Sequence, residues 1–143
     1  MPQALEIIEK LLESEPDNFS YLYEKGRIKF ISGDFETAEK FFLNALKNGH
    51  QDKFKIYLQL GKCFQERELW GNSKACYTRA CEVAPKSSIA WLGLGVACLK
   101  RKDFGDSETA LTQANLFDFR NATIWGYLAL LALQDGGQME KAN

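Results

Sequence analysis

Trp91 and Trp125 stand 34 residues apart, and the residues around them repeat at the same interval. Leu94 recurs as Leu128, and Gly95 falls where Ala129 falls one period later. One period back, the same three places hold Tyr57, Leu60 and Gly61. A fixed period of about 20–50 residues marks a stacked array, because each unit alone cannot bury its apolar face. Such an array works through an extended surface and not through one reactive pocket.

The period resolves into pairs of helices. Ile89, Leu92, Leu94, Val96 and Leu99 give a first helix over residues 88–101. A polar break at Lys102-Asp103 precedes a second helix over 104–117, where Ala110, Leu111 and Ala114 recur at helical spacing. The same layout occupies 54–66 with 71–83, and 19–31 with 35–47. The expected units are therefore 19–52, 54–87 and 88–121, with partial units at 1–15 and 122–143.

Small residues recur where helices must approach closely. Gly26, Gly61, Gly95 and Ala129 lie in first helices, and Ala45, Ala80 and Ala114 lie late in second helices. A glycine inside a helix costs up to ~1 kcal/mol relative to alanine, so its recurrence needs a packing reason. Phe42, Tyr77 and Leu111, with Phe35, Trp70 and Phe104 just after each turn, are the knobs for these holes.

The period slips once. Gly26 to Gly61 is 35 residues and the next step is 34, which places one additional residue near Asn48-Gly49-His50-Gln51-Asp52. His50, the single histidine, is expected as a solvated loop residue. At the ends, Ala4, Ile8, Leu11 and Pro16 reproduce the spacing of Ser73, Tyr77, Ala80 and Pro85, so residues 1–15 read as a second helix. Residues 138–143 read as the start of another. Both ends look cut through a repeat, the expectation being a piece of a longer solenoid whose open ends favour end-to-end self-association.

The pattern resembles the tetratricopeptide repeat (TPR), whose signature of Trp, Leu-Gly, Tyr, Ala, Phe, Ala and Pro spreads over about 34 residues. Trp91, Leu94, Gly95, Leu111 and Ala114 carry it in one unit; Tyr57, Leu60, Gly61, Phe64, Tyr77, Ala80 and Pro85 carry it in another. Gly26, Ala38, Phe42 and Ala45 match in a third, and Trp125 with Leu128 opens a fourth. Ser73 and Ser107 depart from alanine, and Leu22 and Lys25 depart from Trp and Leu. The resemblance implies an all-α, right-handed α-solenoid of helix–turn–helix repeats. A narrower resemblance, over residues 87–98, 108–115 and 121–130, is to the carboxy-terminal TPR region of the cilia- and flagella-associated proteins. It implies an axonemal scaffold associated with the outer dynein arm and ciliary movement.

Nothing in the composition points to other chemistry. Eighteen basic residues face 19 acidic ones, so a net charge of −1 gives no global attraction to nucleic acid or membrane. No apolar run approaches the roughly 18 residues of a membrane span, and no secretory leader is legible, so an intracellular setting is expected, which the resemblance narrows to the axoneme, otherwise the cytoplasm. Cys63, Cys76, Cys81 and Cys98 form no C-x-x-C pair and are expected as small hydrophobes, with no metal and no cofactor. Asp103-Phe104-Gly105 spells the kinase magnesium motif but lacks the glycine loop, strand lysine and catalytic loop that give it meaning, so Phe104 is read as packing. No catalytic residue is assigned, and no enzyme is expected.

In the TPR family the first helices line a concave groove. The matching positions here are Tyr23, Arg27 and Phe30, then Leu58 and Lys62, then Leu92, Val96 and Leu99, then Leu130. This set would give a basic, aromatic end and an apolar end, suited to an amphipathic helix carrying acidic residues. The chaperone-binding members grip a carboxylate with a lysine/asparagine clamp. Its positions here are Tyr23, Arg27, Gln59, Ile89 and Gly93, of which only Arg27 carries charge. A non-catalytic scaffold docking dynein-arm or other axonemal proteins is therefore the leading expectation. The alternative is a cytosolic adaptor or co-chaperone capturing a peptide in the groove.

Overall fold

A computed structural model describes the backbone of residues 2–142 and the side chains of residues 3–135. Among the described residues all regular structure is helical: α1 (Pro2–Ser14), α2 (Phe19–Ile31), α3 (Phe35–Lys47), α4 (Lys53–Glu66), α5 (Trp70–Val83), α6 (Ser88–Lys100), α7 (Phe104–Phe117) and α8 (Ala122–Ala142). The predicted boundaries hold to within a residue from α2 to α7. None of the described helices is long and apolar enough to cross a membrane. The chain forms two compact units, Met1–Leu69 and Trp70–Asn143, divided between α4 and α5.

Side-chain caps explain where the helices begin. Asn18 accepts hydrogen bonds from the Ser20 and Tyr21 amides, and Asp52 accepts from the Lys55 amide at 3.1 Å. Asp34 accepts from the Thr37 amide, which satisfies an otherwise orphaned donor; hydrogen bonds from the Thr37 side chain and then its amide hold the Asp34 carboxyl below its ordinary range. Ser87 and Asn121 cap α6 and α8 in the same way.

Four of the described helix ends share one device. After α2, the Gly33 amide bonds the Phe30 carbonyl and the Asp34 amide bonds the Lys29 carbonyl, with Gly33 at φ 89°. This pair of bonds is a Schellman closure, which places one residue in the left-handed region. It recurs with Gly49 after α3, but Glu68 (φ 57°) and Lys102 (φ 65°) take the place after α4 and α6. A side chain there costs about 1–2 kcal/mol. Lys102→Gly is accordingly expected to raise stability by up to about 1 kcal/mol and Gly33→Ala to lower it by about as much. Chemical denaturation midpoints check both.

Within the first unit, Phe42 fills the hole at Gly26: a methyl group there would stand 2.7 Å from its ring. Lys25, where the TPR pattern has leucine, lies over the Phe41 ring at 4.7 Å and reaches Glu9 at 3.8 Å. Its stem takes the apolar place and its head stays solvated. In the second unit Leu111 fills the hole at Gly95, and Leu99, Leu111 and Leu131 form a buried cluster against which Phe104 packs. Ser107, in an alanine position, is fully buried and donates to the Gly95 carbonyl at 2.8 Å. The signature tryptophans act alike: the Trp91 indole donates to the Pro85 carbonyl at 2.7 Å and the Trp125 indole to the Phe119 carbonyl at 2.6 Å.

Two expectations need correction. His50 is a loop residue but not a solvated one. Its ring packs on Phe19 and Tyr23 at centroid distances of 5.1 and 5.4 Å, and its Nδ1 accepts from the Asp52 amide. The loop over residues 48–52 is one residue longer than those over 15–18, 84–87 and 118–121, and the added length lets the ring fold back onto α2. Burial lowers the His50 pKa, so the folded state binds fewer protons than the unfolded state as pH falls through the ordinary histidine range. Stability from this site is complete above that range and declines as pH drops through it toward the depressed value. His50→Gln is expected to flatten the slope of stability between about pH 5 and 7, measured by urea titrations at each pH.

The second correction concerns the carboxy-terminal end. α8 continues without a turn to Ala142, where residues 138–143 were expected to start a new helix. Propagating an existing helix adds one hydrogen bond per residue, whereas a new one must be nucleated at a loss. A stretch whose only large apolar residue is Met139 provides little to offset that loss. The side chains of 136–143 lie outside the described residues.

Candidate functional site

The nine predicted groove residues do not share one fate. In the first unit Tyr23 is core: it is 2% exposed, its ring meets Phe42 at 5.5 Å, and the Lys55 ammonium lies over it at 4.4 Å. Burial pushes its phenol pKa up, with a hydrogen bond to the Gln59 side chain pulling the other way. Arg27 and Lys62 are exposed, and Phe30 and Leu58 are half-buried. In the second unit Val96 and Leu99 are buried, Leu92 is half-buried and Leu130 is exposed. Tyr23, Val96 and Leu99 are therefore committed to packing, because apolar side chains on a first helix are covered by neighbouring helices wherever these reach them.

What the first unit does assemble is a pocket of about 200 Å³ between α2 and α4, lined by Arg27, Phe30, Ile31, Gln59 and Lys62. Two cations and an amide surround an apolar floor. Arg27 is held by Glu24 at 3.2 Å, an exposed pair one helical turn back on the same helix. Phe30 is fixed edge-on against Phe35 at 5.1 Å. Guanidinium, ammonium and amide donors can engage carboxylate oxygens while the aromatic floor takes an aliphatic or aromatic neighbour.

Gln59 and Ile31 belong to this pocket and Leu58 does not. Helical spacing is compatible with both additions, since Ile31 lies four residues after Arg27 and Gln59 three before Lys62, but it does not separate Gln59 from Leu58, four before Lys62. The clamp positions are otherwise occupied. Ile89 is exposed, and a methyl group at Gly93 would overlap the Tyr77 ring, so that glycine is a packing position.

In the second unit, Lys74 bridges Asp103 at 3.2 Å and Asp106 at 3.1 Å, and Arg101 reaches Asp103 at 3.4 Å. The carboxylates of Asp106 and Asp103 raise the Lys74 pKa. Asp103 of the kinase-like triplet thus serves a helix-to-helix ion pair, and Phe104 serves the core. Burial pushes the Cys81 thiol up to about 12, which removes it as a nucleophile at neutral pH.

Solved structures similar to this chain include TPR proteins. A MamA fragment (residues 41 to end) from Desulfovibrio magneticus RS-1 superposes with a TM-score of 0.89 at 18% identity, covering 99% of this chain and 79% of that one. YrrB, described as a TPR protein with an unusual peptide-binding site, gives 0.85 at 16% identity, covering 94% and 69%. At these identities the likeness establishes the fold, the all-α TPR solenoid. Among sequences, human cilia- and flagella-associated protein 70 is 34% identical over 119 residues, covering 81% of this chain and 10% of that protein. The Macaca fascicularis protein of the same name is 40% identical over 85 residues, covering 59% and 8%. The chain thus spans about a tenth of the length of the relatives it matches. The family model described as the cilia and flagella-associated protein 70 C-terminal domain matches residues 11–143, and the chain belongs to that family.

Proposed function

We propose that this chain is a non-catalytic, protein-binding segment of a ciliary or flagellar axoneme protein that docks components associated with the outer dynein arm and ciliary motility. The observation that carries the binding mode is the α2–α4 pocket, where Arg27, Gln59 and Lys62 surround Phe30 and Ile31. Family membership supports the ciliary setting. The ligand that fits is a helical segment of a partner protein, carrying carboxylates on one edge and an apolar residue between them. Peptide recognition by a helix laid in a groove needs this combination of anchor and charge.

Proximity labelling from the protein expressed in ciliated cells tests the assignment. Enrichment of axonemal and dynein-arm proteins is the expected result. Labelling confined to cytosolic chaperones and transport factors would contradict it and favour the adaptor alternative.

A further inference from the structure

The turn between α6 and α7 carries three consecutive cations, Lys100-Arg101-Lys102, and all three are exposed. The repeat does not dictate them. The same three places hold Ile31-Ser32-Gly33 after α2 and Glu66-Arg67-Glu68 after α4. The left-handed place in these turns takes Gly33, Glu68 or Lys102, so its conformation calls for no positive charge.

Within the second unit, the first turn of α5 seats this row. The Lys100 ammonium lies over the Trp70 ring at 5.9 Å, which orients the charge without neutralising it. Arg101 lies against Gly71, where a methyl group would stand 3.2 Å from its Nη1. The first turn of α5 contains no acidic residue. Asp103 is shared between Arg101 at 3.4 Å and Lys74 at 3.2 Å, and Asp106 pairs with Lys74 at 3.1 Å. In this network four cations face two carboxylates. Lys100 and Lys102 have no carboxylate partner among the described residues.

We propose that this turn docks a flexible acidic segment of a partner protein, a run of glutamates or aspartates whose carboxylates lie along Lys100, Arg101 and Lys102. Charge complementarity decides the chemistry, because the surplus is positive, exposed and laid out in a row. A nucleic-acid backbone is a poorer match. Proteins that grip one spread about 6–10 contacts over its phosphates, and three adjacent cations on a chain of net charge −1 fall short of that. The inference does not rest on the α2–α4 pocket. That pocket needs an apolar residue for Phe30 and Ile31, whereas this turn needs carboxylates alone.

Titration with an oligoglutamate peptide at low salt, followed by backbone and indole amide shifts, tests it. Saturable shifts should centre on Lys100, Arg101 and Lys102 and on the Trp70 indole. Lys100→Glu with Lys102→Glu should weaken binding by at least about tenfold. Lys40→Glu with Lys47→Glu, an equal change of charge at exposed positions of α3, should leave it within about twofold. Lys102→Gly separates the charge from the fold. It relieves the left-handed backbone, so the urea midpoint should rise while affinity falls about two- to fivefold. No saturable binding, shifts centred on Arg27 and Lys62, an affinity unchanged by the Lys100 and Lys102 variants, or tighter capture of a single-stranded oligonucleotide than of oligoglutamate would each overturn the proposal.

Discussion

Leu111→Ala is expected to lower stability by about 3 kcal/mol, and Gly95→Ala by about 1–2 kcal/mol, but the second change should reverse sign when made on the first. Leu111 is fully buried and joins Leu99 and Leu131, so truncating it leaves a cavity in that buried cluster. A methyl group added at Gly95 would stand 2.6 Å from Leu111 Cγ, which forces the leucine or its helix to move. Once Leu111 is an alanine, that methyl group enters vacated space. Alanine's better helix propensity then operates unopposed, and Gly95→Ala should stabilise by about 0.5–1 kcal/mol. A double-mutant cycle from urea unfolding reads the coupling directly. Independent, additive effects would mean that the small–large pairing is not what closes the repeat.

The second large effect concerns binding. Reversing both charges of the α2–α4 pocket, Arg27→Glu with Lys62→Glu, should weaken capture of an acidic helical segment by about 100-fold, close to 2.7 kcal/mol. Arg27 is exposed and among the described residues pairs with Glu24 across one helical turn, so its loss leaves the fold intact. Arg79→Glu, on the surface of α5 and paired with Glu82, serves as the control and should change affinity little. Binding should also fall with salt, because exposed charges are screened over about 10 Å at ordinary ionic strength. Isothermal titration that also includes Arg27→Glu alone, which changes net charge as much as Arg79→Glu does, distinguishes a pocket effect from a loss of total charge.

The repeat units were legible because two independent signals coincide. The period of Trp91 and Trp125 fixes the unit length, and the recurrence of small and large apolar residues at helical spacing fixes the helices within it. The left-handed turn residues were hidden for a plain reason. Gly33 announces that conformation, but Glu68 and Lys102 adopt it at a cost that sequence does not display. The packed state of His50 was hidden because a polar loop reads as solvated, while the rings that hold it, Phe19 and Tyr23, lie one helix and about 30 residues away.

The pocket was half legible. Arg27, Lys62, Val96 and Leu130 occupy one column of the repeat, and only the first two carry charge. Val96 reads from the sequence as a groove residue, whereas the structure buries it, so the change from charged to apolar along that column separates packing from exposed positions only in retrospect. The same reasoning separates Leu99 from Phe30: one joins a buried cluster, whereas the other borders the pocket. Helical spacing to Lys62 could not choose between Leu58 and Gln59, which lie four and three residues before it.

The most direct test of the account is a titration of the protein with a synthetic amphipathic helix bearing glutamates along one edge, followed by backbone amide shifts. The account predicts saturable shifts centred on Arg27, Phe30, Gln59 and Lys62, abolished by the double charge reversal and unaffected by Arg79→Glu. Saturable binding whose shifts centre on Trp91, Lys74 and Asp106 instead, or no binding at all, would contradict the assignment of the α2–α4 pocket as the docking surface.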